Sequence, residues 1–250
     1  AAPAVLEPDA GVLLADRALA ACVGWLRWRP EATLLAHRRA ERVDPAGPAV
    51  HLADGEVVRA DALVVAAGPW SRRLVGRRHT RDLILYRQSV LYCRVPDPDL
   101  ERWAETPAVP ALGTREGAWL VPPVAGTPLK VSAASACRAV GDVGDRRTED
   151  RWVEHVGTIC TGIIPGFDDG WITDARDCYY LASPRPRGRA VVALGERAVA
   201  VAACGGGAAK TAPVIADALV RRVTRPAGVS RTGAATRASR GTPLSRTSSP

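Results

Sequence analysis

Between residues 15 and 28 apolar side chains recur at helical spacing, with Leu19, Cys22, Val23 and Leu26 on one face. Arg29-Pro30 ends this predicted helix, because proline lacks the N–H that the next turn requires. A short strand is predicted over 32–37. Segments 49–53 and 56–60 flank Asp54-Gly55, a strong two-residue hairpin signal. Residues 61–70, Asp61-Ala62-Leu63-Val64-Val65-Ala66-Ala67-Gly68-Pro69-Trp70, read as a buried strand that ends in a glycine turn. From residue 83 the texture changes. Strands are predicted at 86–95, 118–121 and 129–134, in a mostly antiparallel sheet, followed by a helix over 148–163 that stops before Pro165-Gly166. Strict alternation puts Leu129, Val131 and Ala133 on one face and Lys130, Ser132 and Ala134 on the other. Strands at 190–194 and 198–203, a glycine turn and a helix over 210–223 complete the pattern. The order predicts an α/β (α+β) chain: an α/β layer, interrupted by an inserted β-rich region and then resumed.

Composition changes this picture in one place. The 250 residues are 47% apolar, enough for a proper core, and the net charge is +8. Residues 221–250 hold seven Arg and no acid, so residues 1–220 carry 27 basic against 26 acidic groups. The body is nearly neutral and the basicity belongs to the tail. Rich in Ser, Thr, Gly, Pro and Arg, residues 224–250 cannot bury enough surface to offset ordering entropy, and are expected to be disordered. No aromatic residues interleave the tail arginines, so the stacking half of single-strand nucleic-acid recognition is missing and no nucleic-acid partner is expected. An interaction protein that uses this tail on acidic partners stays open as an alternative. Six cysteines (22, 93, 137, 160, 178 and 204) show no C-x-x-C and no metal-like clustering. That usage fits reduced, buried thiols and a cytoplasmic location, and no metal is expected. No apolar run approaches membrane-spanning length. His37, His51, His79 and His155 have neither ligand nor triad spacing.

Chemistry concentrates in a few places. Gly68, ahead of Pro69 and Trp70, follows a buried strand and lets backbone approach a ligand with no Cβ between them. It also fits a plain strand-ending turn. Gly205-Gly206-Gly207 precedes a helix, whose first N–H groups form an electropositive end. A phosphate-binding P-loop is excluded there, since Cys204 and Ala209 stand where that pattern requires glycine. Lys210 beside a positive helix end suits an anion ligand. Cys178, in Asp177-Cys178-Tyr179-Tyr180, reads by itself as a small apolar side chain, and Lys130 as a solvated lysine on a sheet face.

The order of these motifs resembles the FAD-dependent amine and amino-acid oxidoreductases of the D-amino-acid-oxidase superfamily, nearest the monomeric sarcosine oxidase and N-methyltryptophan oxidase branch. The resemblance runs from Leu6-Glu7-Pro8-Asp9-Ala10-Gly11 through residues 61–70, Leu85-Tyr86-Arg87-Gln88, Leu129-Lys130, Ile164-Pro165-Gly166 and Cys178-Tyr179-Tyr180 to residues 202–210. It implies FAD as cofactor, with Gly68, Pro69, Trp70, Gly205, Gly206 and Gly207 beside it and Cys178 as a covalent tether. It further implies that Lys130 promotes reaction with O₂, and that Lys210 and Tyr180 line the pocket for a small amine or amino acid. The implied reaction is oxidation of a C–N bond, with H₂O₂ as the product from O₂.

The chain departs from the family in ways that matter. No G-x-G-x-x-G occurs in the 250 residues, so the unit that grips the ADP half of FAD is missing from this sequence. The resemblance thus reads the chain as a fragment: a partial FAD-binding domain at 1–80, a β-rich substrate domain at 81–170, a return to the FAD-binding domain at 171–223, and the tail. Ala134 stands where the family has histidine, Ser183-Pro184 where it has Thr-Pro, and Arg185 where it has an acid. The family's G-H-G-F-K reads Gly206-Gly207-Ala208-Ala209-Lys210, which loses bulky lining. A remnant that binds no flavin is the alternative these departures leave open.

Overall fold

The described strands form three sheets. The computed structural model describes residues 5–112, 117–184, 191–203 and 205–224. Helix α1 (Ala15–Arg27) comes first, as its periodicity predicts. Its apolar face is only half covered, with Val23 and Leu26 partly buried and Leu19 and Cys22 exposed. The strand expected at 32–37 is absent. Leu34 and Leu35 remain exposed there, and the strand forms instead at β1 (Ala40–Asp44), where β2 (Ala49–Leu52) supplies an antiparallel partner. The pairing thus overrides the local apolar signal. β2 and β3 (Val57–Arg59) form the expected hairpin about Asp54-Gly55, with Gly55 at φ +90° in the left-handed region that favours glycine.

β4 (Leu63–Val65) enters a second sheet and leads through Gly68–Trp70, a 3-10 turn, into the short helices α2 (Ser71–Val75) and α3 (Arg77–Thr80). The chain then crosses into the inserted region. β5 (Ile84–Cys93), helix α4 (Leu100–Ala104), β6 (Val109–Leu112), β7 (Ala118–Val121), β8 (Leu129–Ala133), β9 (Cys137–Ala139), α5 (Asp150–Ile163) and β10 (Ile172–Ala182) follow. Their strands make a six-stranded antiparallel sheet in the order β10-β5-β8-β7-β6, with β9 also on β5. β10 pairs with β5 from Asp174↔Tyr92 to Ala182↔Ile84. β10, eleven residues long, carries this sheet up to Ala182.

One face of this sheet is the main core. Leu91, Leu129, Val131 and Leu120 pack against Val156 and Cys160 of α5, and each of these is buried. At about 1.5–3 kcal/mol for each fully buried aliphatic side chain, this layer is the largest apolar contribution to the fold. Trp171 closes its end against Trp103 and Phe167, with ring centroids at 6.4 and 5.5 Å. α5 stops where predicted: Ile164 is extended ahead of Pro165, and Gly166 turns the chain at φ +77°.

After β10 the chain returns. β11 (Val191–Ala193) and β12 (Ala198–Val201) pair antiparallel, and β12 runs parallel to β4, giving a three-stranded sheet in the order β11-β12-β4. Helix α6 (Ala208–Val223) ends the described chain at Thr224. The α/β class with an inserted antiparallel sheet is thus as the sequence predicts. Cys204, Arg185 and the tail from residue 225 lie outside the described residues.

Candidate functional site

The parallel pairing of β4 with β12 decides where the glycine turns meet. Parallel neighbours end on the same side, so the Gly68–Trp70 turn after β4 and the Gly205–Gly207 turn after β12 emerge side by side. Buried Ser71 joins the two ends by donating its hydroxyl to the Val201 carbonyl at 3.4 Å. Both turns also reach β10. Gly68–Trp70 packs against that strand, and Gly205 N–H donates to the Leu181 carbonyl at 2.9 Å. Gly68 and Gly205 each sit at φ +52°, and a Cβ on Gly68 or Gly206 would meet no atom within 4 Å. The turns therefore present open backbone. α6 starts directly behind them with Gly207 as its N-cap, and exposed Lys210 folds back so that its Cε lies 3.6 Å from where a Gly207 Cβ would stand.

Register places the other candidates. Cross-strand partners share a face of a sheet. Cys178 opposes Gln88, Tyr180 opposes Tyr86, and Lys130 opposes Tyr92. Gln88, Tyr86 and Tyr92 alternate on one side of β5. Lys130 on β8 and Cys178 and Tyr180 on β10 thus share the face opposite the α5 core. They are not adjacent: Lys130 and Cys178 stand two strands and four positions apart, roughly 16 Å between Cα atoms.

The local environments differ. Half-buried Tyr180 stacks on Tyr86 with centroids 5.6 Å apart, and its hydroxyl meets Cys137 Sγ at 3.3 Å. Burial first, and then this hydrogen bond, hold its phenol well above the ordinary tyrosine range. Lys130 Nζ lies 5.4 Å from the Tyr92 ring centroid and has no acidic partner among the described residues. Gln88, buried between Cys178 and Cys137, donates to Ser132 Oγ at 2.7 Å and to the Ala133 carbonyl at 2.9 Å. Such a satisfied amide stiffens the sheet beneath the open face. Cys178 itself is a partly exposed free thiol, unlike Cys93 and Cys160, which are buried. Among the described residues, no three His, Cys, Asp or Glu side chains are grouped to hold a metal ion.

One cluster has no counterpart in the sequence signals. Fully buried Asp177 accepts from Arg87 Nε, from an Arg138 amino group at 3.1 Å, from Ser89 at 2.7 Å and from Thr148 at 3.0 Å. These partners come from three places in the chain, β5, β9 and the segment before α5, so no local spacing could announce them.

The family model for FAD dependent oxidoreductases (DAO) matches residues 2–222. The chain belongs to this family. Members of the FAD dependent oxidoreductase family take FAD as cofactor. Solved structures with a similar fold include the fructosyl amine:oxygen oxidoreductase Amadoriase I from Aspergillus fumigatus, at 14% identity and TM-score 0.60 over 74% of this chain and 45% of that one. Amadoriase II from the same organism, described as a deglycating fructosamine oxidase, gives 14% and 0.59 over 74% and 47%. A modified fructosyl peptide oxidase from Aspergillus nidulans gives 15% and 0.56 over 70% and 45%. The chain spans a little under half the length of these structures. No curated protein matches it. The two glycine turns offer Cβ-free backbone, open to a flat ligand, beside a sheet face that carries a thiol. The phosphate-cradling G-x-G-x-x-G is not in the sequence.

Proposed function

We propose that this chain carries the ring-side half of the FAD site of an amine-oxidising flavoenzyme, of the sarcosine-oxidase branch. The observation that supports it most is the convergence of the Gly68–Trp70 and Gly205–Gly207 turns on β10, the strand that holds Cys178 and Tyr180. Bound FAD would take a hydride from the carbon next to the substrate nitrogen and pass the electrons to O₂. Gly68, Pro69, Trp70, Gly205, Gly206 and Gly207 would hold it with open backbone, and the N–H groups at the start of α6 would favour negative charge beside them. Cys178 would tether it through a thioether.

The remaining groups serve the substrate and oxygen. Lys210 would bind the α-carboxylate of an amino acid as a point charge. Tyr180, held neutral by burial and by Cys137, would line the same pocket without adding charge. Lys130, a cation with no acidic partner among the described residues, would stabilise the negative charge that forms as O₂ is reduced. The free thiols support a cytoplasmic location; among the described residues no helix is long and apolar enough to cross a membrane.

Absorbance tests this. Purified or FAD-incubated protein is expected to show a flavin band that survives acid precipitation and turns acid-releasable in Cys178→Ala. Protein that stays colourless after incubation with FAD would establish the competing remnant, which the missing G-x-G-x-x-G favours.

A further inference from the structure

The open face of the six-stranded sheet holds a charge cluster of which the roles above use Lys130 alone. Half-buried Tyr92 receives cations from both neighbouring strands: Lys130 Nζ from β8 at 5.4 Å and Arg176 Cζ from β10 at 5.8 Å of its ring centroid. The acid on this face is Asp174, which opposes Tyr92 across the strands and takes Arg176 Nε at 2.5 Å. Asp174 thus faces two cations, Arg176 and Lys130. Arg176 gives Asp174 a single N–H, and its two amino groups meet no acceptor among the described residues.

Each feature favours an anion. The ring holds the cations over its face through its quadrupole, which limits the entropy lost when they grip a ligand. A guanidinium with its terminal amino groups free matches a carboxylate with two parallel hydrogen bonds. The cluster also lies near the thiol. Arg176 precedes Cys178 by two positions in β10, on the same face, so their Cα atoms are roughly 7 Å apart.

We propose that Arg176, steadied over Tyr92 beside Lys130, forms a second anion site that takes a side-chain carboxylate of the substrate, which makes the substrate class dicarboxylic amino acids or their N-substituted forms. This rests on the amine-oxidising reading above, in which Lys210 takes the α-carboxylate. Arg176 is then the specificity residue.

The test needs no flavin, so its failure is separable from failure of that reading. On the full chain produced in a riboflavin-limited host, so that flavin does not occupy Cys178, alkylation of this thiol by anionic iodoacetate and neutral iodoacetamide at low ionic strength is followed by peptide mapping, with exposed Cys22 as the reference thiol. The iodoacetate-to-iodoacetamide rate ratio is expected to be higher at Cys178 than at Cys22. Arg176→Gln should lower it about threefold, the effect in water of one unit charge about 7 Å away, and Arg176→Lys should retain most of it. Glutarate should protect Cys178 in the wild type and not in Arg176→Gln, while the neutral diamide protects neither. Equal ratios at the two thiols, or a ratio unchanged in Arg176→Gln, overturns the proposal. An anion-selective Cys178 in protein that takes up no FAD keeps the anion site and sinks the flavin reading instead. Because Arg176 is exposed, with 59% of its side chain accessible, the variant is expected to fold, and circular dichroism checks this.

Discussion

Asp177 and Cys178 are neighbours in β10 that serve opposite faces of one sheet. Asp177 is fully buried beneath it, bound by Arg87, Arg138, Ser89 and Thr148, and Cys178 looks out from the face that carries Lys130. The period of two along a strand imposes this division. It also fixes the thiol, since any slip of β10 against β5 by one residue would expose the carboxylate and bury the cysteine.

Asp177→Ala should therefore cost far more than Cys178→Ala. Removing the carboxylate leaves two guanidinium groups without their buried partner, and their side chains are only 18% accessible. Breaking such a pair from one side costs about 3–5 kcal/mol. Arg138 also lies over Trp152, 4.4 Å from its ring centroid, so part of its packing goes too. The partly exposed Cys178 should lose about 1 kcal/mol or less on truncation. Urea unfolding of the two variants checks the contrast, and midpoints that coincide would show the cluster to be dispensable.

What was legible in the sequence follows from how local each cause is. Alternation through Leu129–Ala133 set Lys130 apart from buried Leu129 and Val131, but Ser132 on the Lys130 face is buried as well and Ala134 already starts a 3-10 turn. The Asp54-Gly55 hairpin and the stop before Pro165 were legible because their causes are local. β1, Ala-Glu-Arg-Val-Asp, has no apolar pattern and exists by pairing with β2, whereas the more apolar Leu34-Leu35 segment finds no partner. The strand around Cys178 and the Asp177 cluster were hidden by range: Arg87 and Asp177 are 90 positions apart. Arg176 was hidden differently. Its importance depends on which ring lies opposite, and only the register between β5 and β10 reveals Tyr92.

Stability should fall steeply in alkaline solution. Burial pushes the thiols of Cys93 and Cys160 up from an ordinary value of 9.0 to about 12. A group whose folded value is raised stabilises the fold fully below its unfolded value, and that contribution is lost as pH rises through the window, here from 9 to 12. Each thiol should remove roughly 1.4 kcal/mol per pH unit inside it. Urea midpoints measured from pH 8 upward should thus bend downward above pH 9, and Cys93→Ala with Cys160→Ala should flatten the bend, whatever their effect on the baseline. At pH 8 a thiol reagent should label exposed Cys22 in native protein and spare these two.

Gly195→Ala and Gly206→Ala should separate folding from ligand binding. Gly195 closes the turn between β11 and β12, where a Cβ would stand 2.7 Å from the Pro45 carbonyl oxygen in the β1–β2 turn. The obstacle is backbone, which cannot swing aside as a side chain does, so overpacking of roughly 1–3 kcal/mol is expected. At Gly206 a Cβ meets nothing within 4 Å, and φ there is outside the left-handed region. Gly206→Ala should accordingly leave the urea midpoint near that of the wild type, within about 0.5 kcal/mol. If the turn is where flavin rests, the same methyl group occupies the approach, and FAD uptake followed by absorbance should fall sharply in a protein of unchanged stability. Full uptake by Gly206→Ala would move the cofactor away from this turn.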